Sequence, residues 1–279
     1  MSHLSTDTSD ISIKRPDLWT LLLAVERERI QFILYTPAQS NSLISREIPL
    51  SAGESSWTSA LEDAVYEHPV LLDDYGSVAV VVNAPHFVVL PSSVMDDEEL
   101  AEQAFAASFP DDDGDVLTCK LPQCEVGVAY SLPAGMQGFL QRTFNNAPIY
   151  HHLYPLCEHF KGLNAGSGIS RMFINLHSNG MDMVVYRKGE MMLANSFPVR
   201  NANDAAFLAL HTWQSFEMDA LSDEIQLTGD KRLRDELAPR LREYVRYVMP
   251  AIYPVAAMRL GDNAMKAPFD LILLATCVS

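Results

Sequence analysis

Apolar residues along this chain fall into short runs first and helical stripes afterwards. LWTLLLAV, RIQFILYT and LISREIPL follow one another between residues 18 and 50, separated by short polar breaks. Each has the length of a strand, and the breaks are short enough for hairpins. A helix is expected next, with Trp57, Leu61, Ala64 and Val65 on one face and Glu62, Asp63 and Glu67 on the other. Strands are predicted at Ser77–Val82 and His86–Leu90. Asp96 and Glu99 have the spacing of a capping box opening a helix over Asp97–Phe109, whose acidic first turn suits the positive end of the helix dipole. Two more strands, Val116–Leu121 and Val126–Ser131, precede a helix from Ala134 to Phe144 and a short one within IYHHLYPLCEHF.

KGLNAGSGISR, with three glycines and two serines, separates two patterned halves. Beyond it MFINL and MDMVVYR flank a Ser178–Asn179–Gly180 turn, and MDMVVYR and EMMLANSF flank Lys188–Gly189. Asn201 or Asn203 is placed to cap a helix carrying Ala206, Leu210, Trp213 and Phe216 on one face. The strand EIQLTG follows, then a Leu233–Leu237–Leu241 helix that Pro239 is expected to break, and FDLILLATCV closes the pattern. A three-stranded meander followed by helix, strand and helix thus occurs twice. The expected fold is α/β: two tandem ribonuclease-H-like domains with mixed sheets, the architecture of actin, sugar kinases and Hsp70, which clamps a nucleotide between its halves. The predicted division is a fraying polar tail over 1–16, a first domain over 17–161, a linker over 162–168 and a second domain over 169–279.

Several stretches carry a resemblance: NAPHFVVLPSSVMDDEELAEQAF, LPQCEVGVAYSLP, IYHHLYPLCE, RMFINLHSNGMDMVVYRKGEMMLANSFPV and EIQLTGD. By these the chain resembles the domain-of-unknown-function 3822 family of Bacteroidetes, which has an actin-like ATPase fold. The resemblance implies a place near the actin-like cytoplasmic components of pilus and secretion machines, which act as assembly platforms.

It also implies phosphate loops. An actin-like ATPase has an Asp ending the first strand of each half and a glycine-rich turn after it, the Asp for hydrated Mg²⁺ and the glycines for close backbone approach to phosphate. In the first half that turn is Ala24-Val25-Glu26-Arg27-Glu28-Arg29, with no glycine, two glutamates and only Arg27 and Arg29 to offset them. In the second half the loop falls on Ile174 to Met183. There Asn175 replaces the magnesium-directing Asp, His177, Ser178 and Asn179 replace the glycines, Gly180 follows, and Asp182 is kept at a position suited to solvent. Leu227-Thr228-Gly229-Asp230 resembles the adenosine-side turn. The vestigial nucleotide site is therefore assigned to Asn175, Ser178, Asn179, Gly180, Asp182, Thr228 and Gly229. Each lost charge-assisted contact is worth roughly 1.5–3 kcal/mol, and losing ~4–6 kcal/mol turns a micromolar site into a millimolar one. No cofactor, no metal and no catalytic residue is expected, with Mg-ATP as the alternative.

Charge agrees with that expectation. The 279 residues hold 20 Lys and Arg against 36 Asp and Glu, a formal charge of −16. Such a surface repels nucleic acid and anionic lipid. MSHLSTDTSDISIKRPD has no apolar core of a signal peptide, no run approaches ~18–20 apolar residues, and four cysteines are not a disulfide framework, so a cytoplasmic protein without transmembrane segments is expected. Neither a partner nor an oligomeric state is written in the residues. His151, His152, Cys157 and His159 crowd one segment without a zinc spacing. PDDDGDV lacks the spacing of a calcium loop and reads as an acidic turn, and Cys119 and Cys124 read as structural. Met181, Met183, Met191 and Met192 either pack inside or expose a thioether patch.

Overall fold

The computed structural model describes residues 4–50, 56–177 and 180–277. Two compact units divide them, residues 156–253 and the described chain on either side of that segment.

The first unit opens on an antiparallel meander of β1 (Thr20–Val25), β2 (Arg29–Tyr35) and β3 (Ile44–Pro49). After α1 (Trp57–Glu67), whose N-terminus Ser56 caps, β4 (Ser77–Val82) returns parallel to β1. The chain then leaves this sheet for a second one. β5 (Phe87–Pro91), α2 (Ser92–Met95), α3 (Glu98–Ser108), β6 (Asp115–Leu121) and β7 (Val126–Leu132) build a three-stranded antiparallel sheet in the order β5-β7-β6. Met95, Ala101 and Phe105 pack on Ala129 there, and the missing side chain of Gly127 is what admits Met95. After α4 (Met136–Thr143), β8 (Ile149–His151) rejoins the main sheet, whose order is β3-β2-β1-β4-β8. Leu21 to Val25 on β1 and Ala79 to Val82 on β4 are all buried, as central strands covered on both faces must be.

Helix α5 (Leu153–Asn164) leads to the second unit, where β9 (Arg171–His177), β10 (Gly180–Arg187) and β11 (Glu190–Phe197) repeat the meander. Helix α6 (Ala202–Ser215), β12 (Glu224–Gly229), α7 (Lys231–Arg242) and β13 (Tyr247–Pro250) complete it. The sheet order, β11-β10-β9-β12-β13, matches the first unit position for position, with β12 parallel to β9 and β13 parallel to β12. One face of this sheet packs Met172, Ile174, Leu176, Met181 and Met183 against Ala205, Ala209 and Trp213 of α6 and Leu237 and Leu241 of α7. On the other face Phe160 stacks on Phe173 at 3.7 Å, and the Tyr186 hydroxyl donates to the Cys157 carbonyl at 2.7 Å. Helix α8 (Val255–Met258) and α9 (Phe269–Cys277) then belong to the first unit.

Several elements differ from the sequence reading. The helix-opening cap is Asp97, not Asp96: its carboxylate accepts from the Glu99 and Leu100 amides, moving the start one residue on. Asn201, not Asn203, caps α6. Pro239 does not break α7, which runs on to Arg242 with Pro239 exposed on its surface. The 162–168 stretch is the end of α5 and a turn inside the second unit, since Phe160 and Cys157 tie that helix to β9 and β10. Of FDLILLATCV, Phe269–Cys277 is a helix against β1, outside the second unit in which 169–279 was expected to remain, and Val278 lies outside the described residues. Finally, residues 5–10 of the polar tail lie along β3. Ser5 bridges Arg46 in parallel, its carbonyl accepts from the Glu47 amide at 3.2 Å, and Arg46 holds Asp10.

Candidate functional site

The loop residues assigned to a nucleotide site lie at one end of the second unit's sheet. Strand register sets Asp182 of β10 opposite both Ser196 of β11 and Asn175 of β9, and Asn175 opposite Thr228 of β12. Directly opposed residues share a face, so Ser196, Asp182, Asn175 and Thr228 form a polar row across four strands. It lies on the face opposite the packed methionines, because alternation sends Met181, Met183, Ile174 and Leu227 the other way.

Asp182 is 3% exposed and does not face solvent, contrary to the expectation for a strand-starting Asp. A buried carboxylate needs donors, and it has them. Asn175 Nδ2 donates to Oδ2 at 3.0 Å, Ser196 Oγ donates to Oδ1 at 2.7 Å, and His177 Nε2 lies 3.4 Å from Oδ1. The substitution of Asn for Asp at 175 is thus structurally coupled to Asp182, since an amide can donate to the carboxylate beside it and a second carboxylate cannot. Thr228 is buried in the same row, and Gln226, two residues before it, is buried with no hydrogen-bond partner for Oε1. Ser196 was missed from sequence: the tight turn at Lys188–Gly189 taken alone sets Asp182 opposite Asn195, and the register shift between Val185 and Tyr186 that brings Ser196 there instead has no local signal.

Two glycines bound this end. Gly229 has φ +86°, and a Cβ there would lie 2.0 Å from the Leu176 carbonyl oxygen, which instead accepts from the Asp230 amide at 2.7 Å. Gly180 opens β10, where a Cβ would meet the Phe197 carbonyl at 2.3 Å. Both glycines answer to close backbone approach within the sheet. Ser178 and Asn179 lie outside the described residues.

The matching turn of the first unit is built from charge. Glu26 N–H bonds to the Arg29 carbonyl at 2.9 Å, closing a tight hairpin, and the Glu26 carbonyl accepts from Trp57 Nε1 at 3.1 Å. Arg29 donates to Glu26 at 3.1 Å and to Glu47 at 3.3 Å. Burial alone would lower the Arg29 pKa, but Glu26, Glu47 and Asp270 together hold it above its ordinary value. One of the two cations offered to an incoming phosphate is therefore already committed to carboxylates.

The profile of a protein family of unknown function, DUF3822, matches residues 8–248. The chain belongs to the DUF3822 family. Its fold is the actin-like ATPase fold. A Bacteroides thetaiotaomicron protein with actin-like ATPase fold and unknown function is 21% identical, with a TM-score of 0.77, over 95% of this chain and 98% of that one. The type IV pilus biogenesis complex of PilM and PilN provides a second match at 13% identity and TM-score 0.61, over 93% of this chain and 97% of that one. A comparison with curated proteins finds no match.

Other clusters in this DUF3822 chain have structural explanations. His151 and His152 are buried in the first unit among Phe87 and Tyr130, with His151 Nδ1 accepting from the Leu153 amide and Nε2 facing the Ala84 carbonyl at 3.2 Å. Cys157 and His159 belong to the second unit, where burial pulls the His159 pKa down to about 4. Among the described residues no three His, Cys, Asp or Glu are gathered as a metal site requires. In PDDDGDV, Asp112 accepts from His86 Nδ1 at 2.5 Å, Ser131 Oγ at 2.8 Å and the Gly114 amide at 2.9 Å. Burial works against that carboxylate's charge, yet these donors hold its pKa below the usual value. Cys119 and Cys124 are buried. Met181 and Met183 are core residues, and Met192 alone of the four is exposed. No helix of the described residues is long and apolar enough to cross a membrane.

Proposed function

We propose that this protein is a non-catalytic binding or assembly scaffold, in which the nucleotide site of the actin-like fold has degenerated into a structural polar row. The observation that carries this reading is Asp182, buried at 3% exposure with both carboxylate oxygens accepting hydrogen bonds from Asn175 and Ser196. A carboxylate in that state has little left to offer hydrated Mg²⁺, and opening the row would cost those bonds. The Glu26–Arg29–Glu47 cluster at the corresponding turn of the first unit supports the same reading, since it sets carboxylates where phosphate would approach. The similarity to PilM, a protein structurally characterised in complex with PilN, supports a protein partner in a cell-envelope assembly. The site of action proposed is the cytoplasm.

A divergent ATP-binding protein is the second reading, and the retained Thr228-Gly229-Asp230 turn favours it. Thermal unfolding of the full chain with and without millimolar Mg-ATP separates the two. A ligand at 100 times its Kd adds about 2.7 kcal/mol to the native state, a readily visible shift of the midpoint. The scaffold reading expects none; a magnesium-dependent rise overturns it. Gly229→Trp is a poor control for this experiment, because even a Cβ at 229 collides with the Leu176 backbone.

A further inference from the structure

β3 is an edge strand of the first unit's main sheet, and an exposed edge strand is a template for any extended segment able to pair with it. In this chain the edge is covered by the chain's own residues 5–10. The Glu47 amide, which points away from β2, donates to the Ser5 carbonyl at 3.2 Å, and Ser5 pairs with Arg46 in parallel. Arg46 fastens the segment. Its Nε donates to the Asp7 carbonyl at 2.9 Å, its Nη2 reaches Asp10 Oδ2 at 3.0 Å and Oδ1 at 3.3 Å, and its Nη1 caps the Ser45 carbonyl at 3.0 Å. The guanidinium is four-fifths buried, while Asp10 is 61% exposed.

Several features make this contact removable. Among the described residues the attachment is one backbone bridge and one guanidinium, with Leu4 and Ile11 only half-buried and Ser5, Thr6 and Asp7 exposed. Asp7 and Ser9 satisfy each other locally, through Ser9 N–H at 2.9 Å and Ser9 Oγ at 2.6 Å, so part of the segment keeps its bonds when it lifts away. Lifting it uncovers the Arg46 cation and an outward amide at Glu47, with no further strand of the sheet to take them. An occupant must therefore offer an extended backbone parallel to β3, a carbonyl to Glu47 and a carboxylate to Arg46.

We propose that residues 5–10 are a displaceable guard strand, and that the β3 edge is a docking surface for an extended acidic segment of a protein partner, added by strand pairing. This is independent of whether the Asp182 row admits a nucleotide.

The test uses the full chain and a labelled peptide, LSTDTSDIS, copying residues 4–12. Asp10→Lys places a cation against Arg46 and frees the edge. Amide exchange at Glu47 is expected to rise by about threefold or more, the scale of an exposed ion pair. The double variant Asp10→Lys with Arg46→Glu restores protection by reversing the pair. The peptide is expected to bind the Asp10→Lys chain at least about threefold tighter than wild type, where the guard competes, and to fail against Arg46→Glu. Unchanged exchange at Glu47 in Asp10→Lys, no peptide binding to that variant, or equal binding to Arg46→Glu would each overturn the proposal. Should Asp10→Lys lower the unfolding midpoint, Asp10→Asn repeats the measurement without the added charge.

Discussion

Asp182 shows how far a residue's meaning depends on its neighbours. Its retention at a loop position resembles function, yet in the fold it is the acceptor of an Asn amide and a Ser hydroxyl from the two flanking strands. His159 makes the corresponding point for titration. Burial lowers its pKa from 6.5 to about 4, so between those values the unfolded chain takes a proton that the native chain refuses. Its contribution to stability is full above pH 6.5 and is lost progressively as pH falls to about 4, by roughly 3 kcal/mol in all. Urea unfolding at pH 7, 5.5 and 4.5 should show that decline in wild type and a shallower one in His159→Gln. Identical slopes in the two chains would remove His159 from the account.

At the scale of elements, most boundaries were legible because propensity and packing agree there. EIQLTG is β12 residue for residue, and Lys188–Gly189 is a tight turn with both residues at positive φ. Where two chemically equal candidates sat side by side, local pattern had no means to choose. Asp96 and Asp97 are such a pair, and packing of Ala101 and Phe105 onto β7 decides the phase of α3. Asp97→Ala should therefore cost about 1 kcal/mol, the usual worth of an N-cap, whereas Asp96→Ala should be close to neutral. Equal losses from the two in denaturant titrations would contradict the assigned cap.

The whole molecule is organised by a return of the chain that no periodicity announces. FDLILLATCV is short, apolar all round and patterned equally well for a buried strand or a buried helix. As α9 it buries Phe269, Leu271, Ile272, Leu273 and Leu274 in the first unit, in contact with β1. At roughly 1.5–3 kcal/mol per buried side chain, these five match the ~5–15 kcal/mol by which a domain is stable at all. A chain ending at Tyr253 should lose the cooperative unfolding of the first unit and bind a hydrophobic dye. Unchanged unfolding of that shortened chain would show that the first unit does not depend on its last helix.

What the sequence determined by itself was the set of elements and their repetition, and through its quoted motifs the DUF3822 family. Strand alternation, helical stripes and turn residues act within a few positions, so they survive in one dimension. Tertiary structure alone decided which distant segments meet: α9 with β1, the tail with the β3 edge, and Ser196 and Asn175 with Asp182. Register and burial make those choices, and both are set by partners far along the chain. A carboxylate is a magnesium ligand or a structural acceptor according to what stands beside it, and in this fold an amide and a hydroxyl stand beside Asp182.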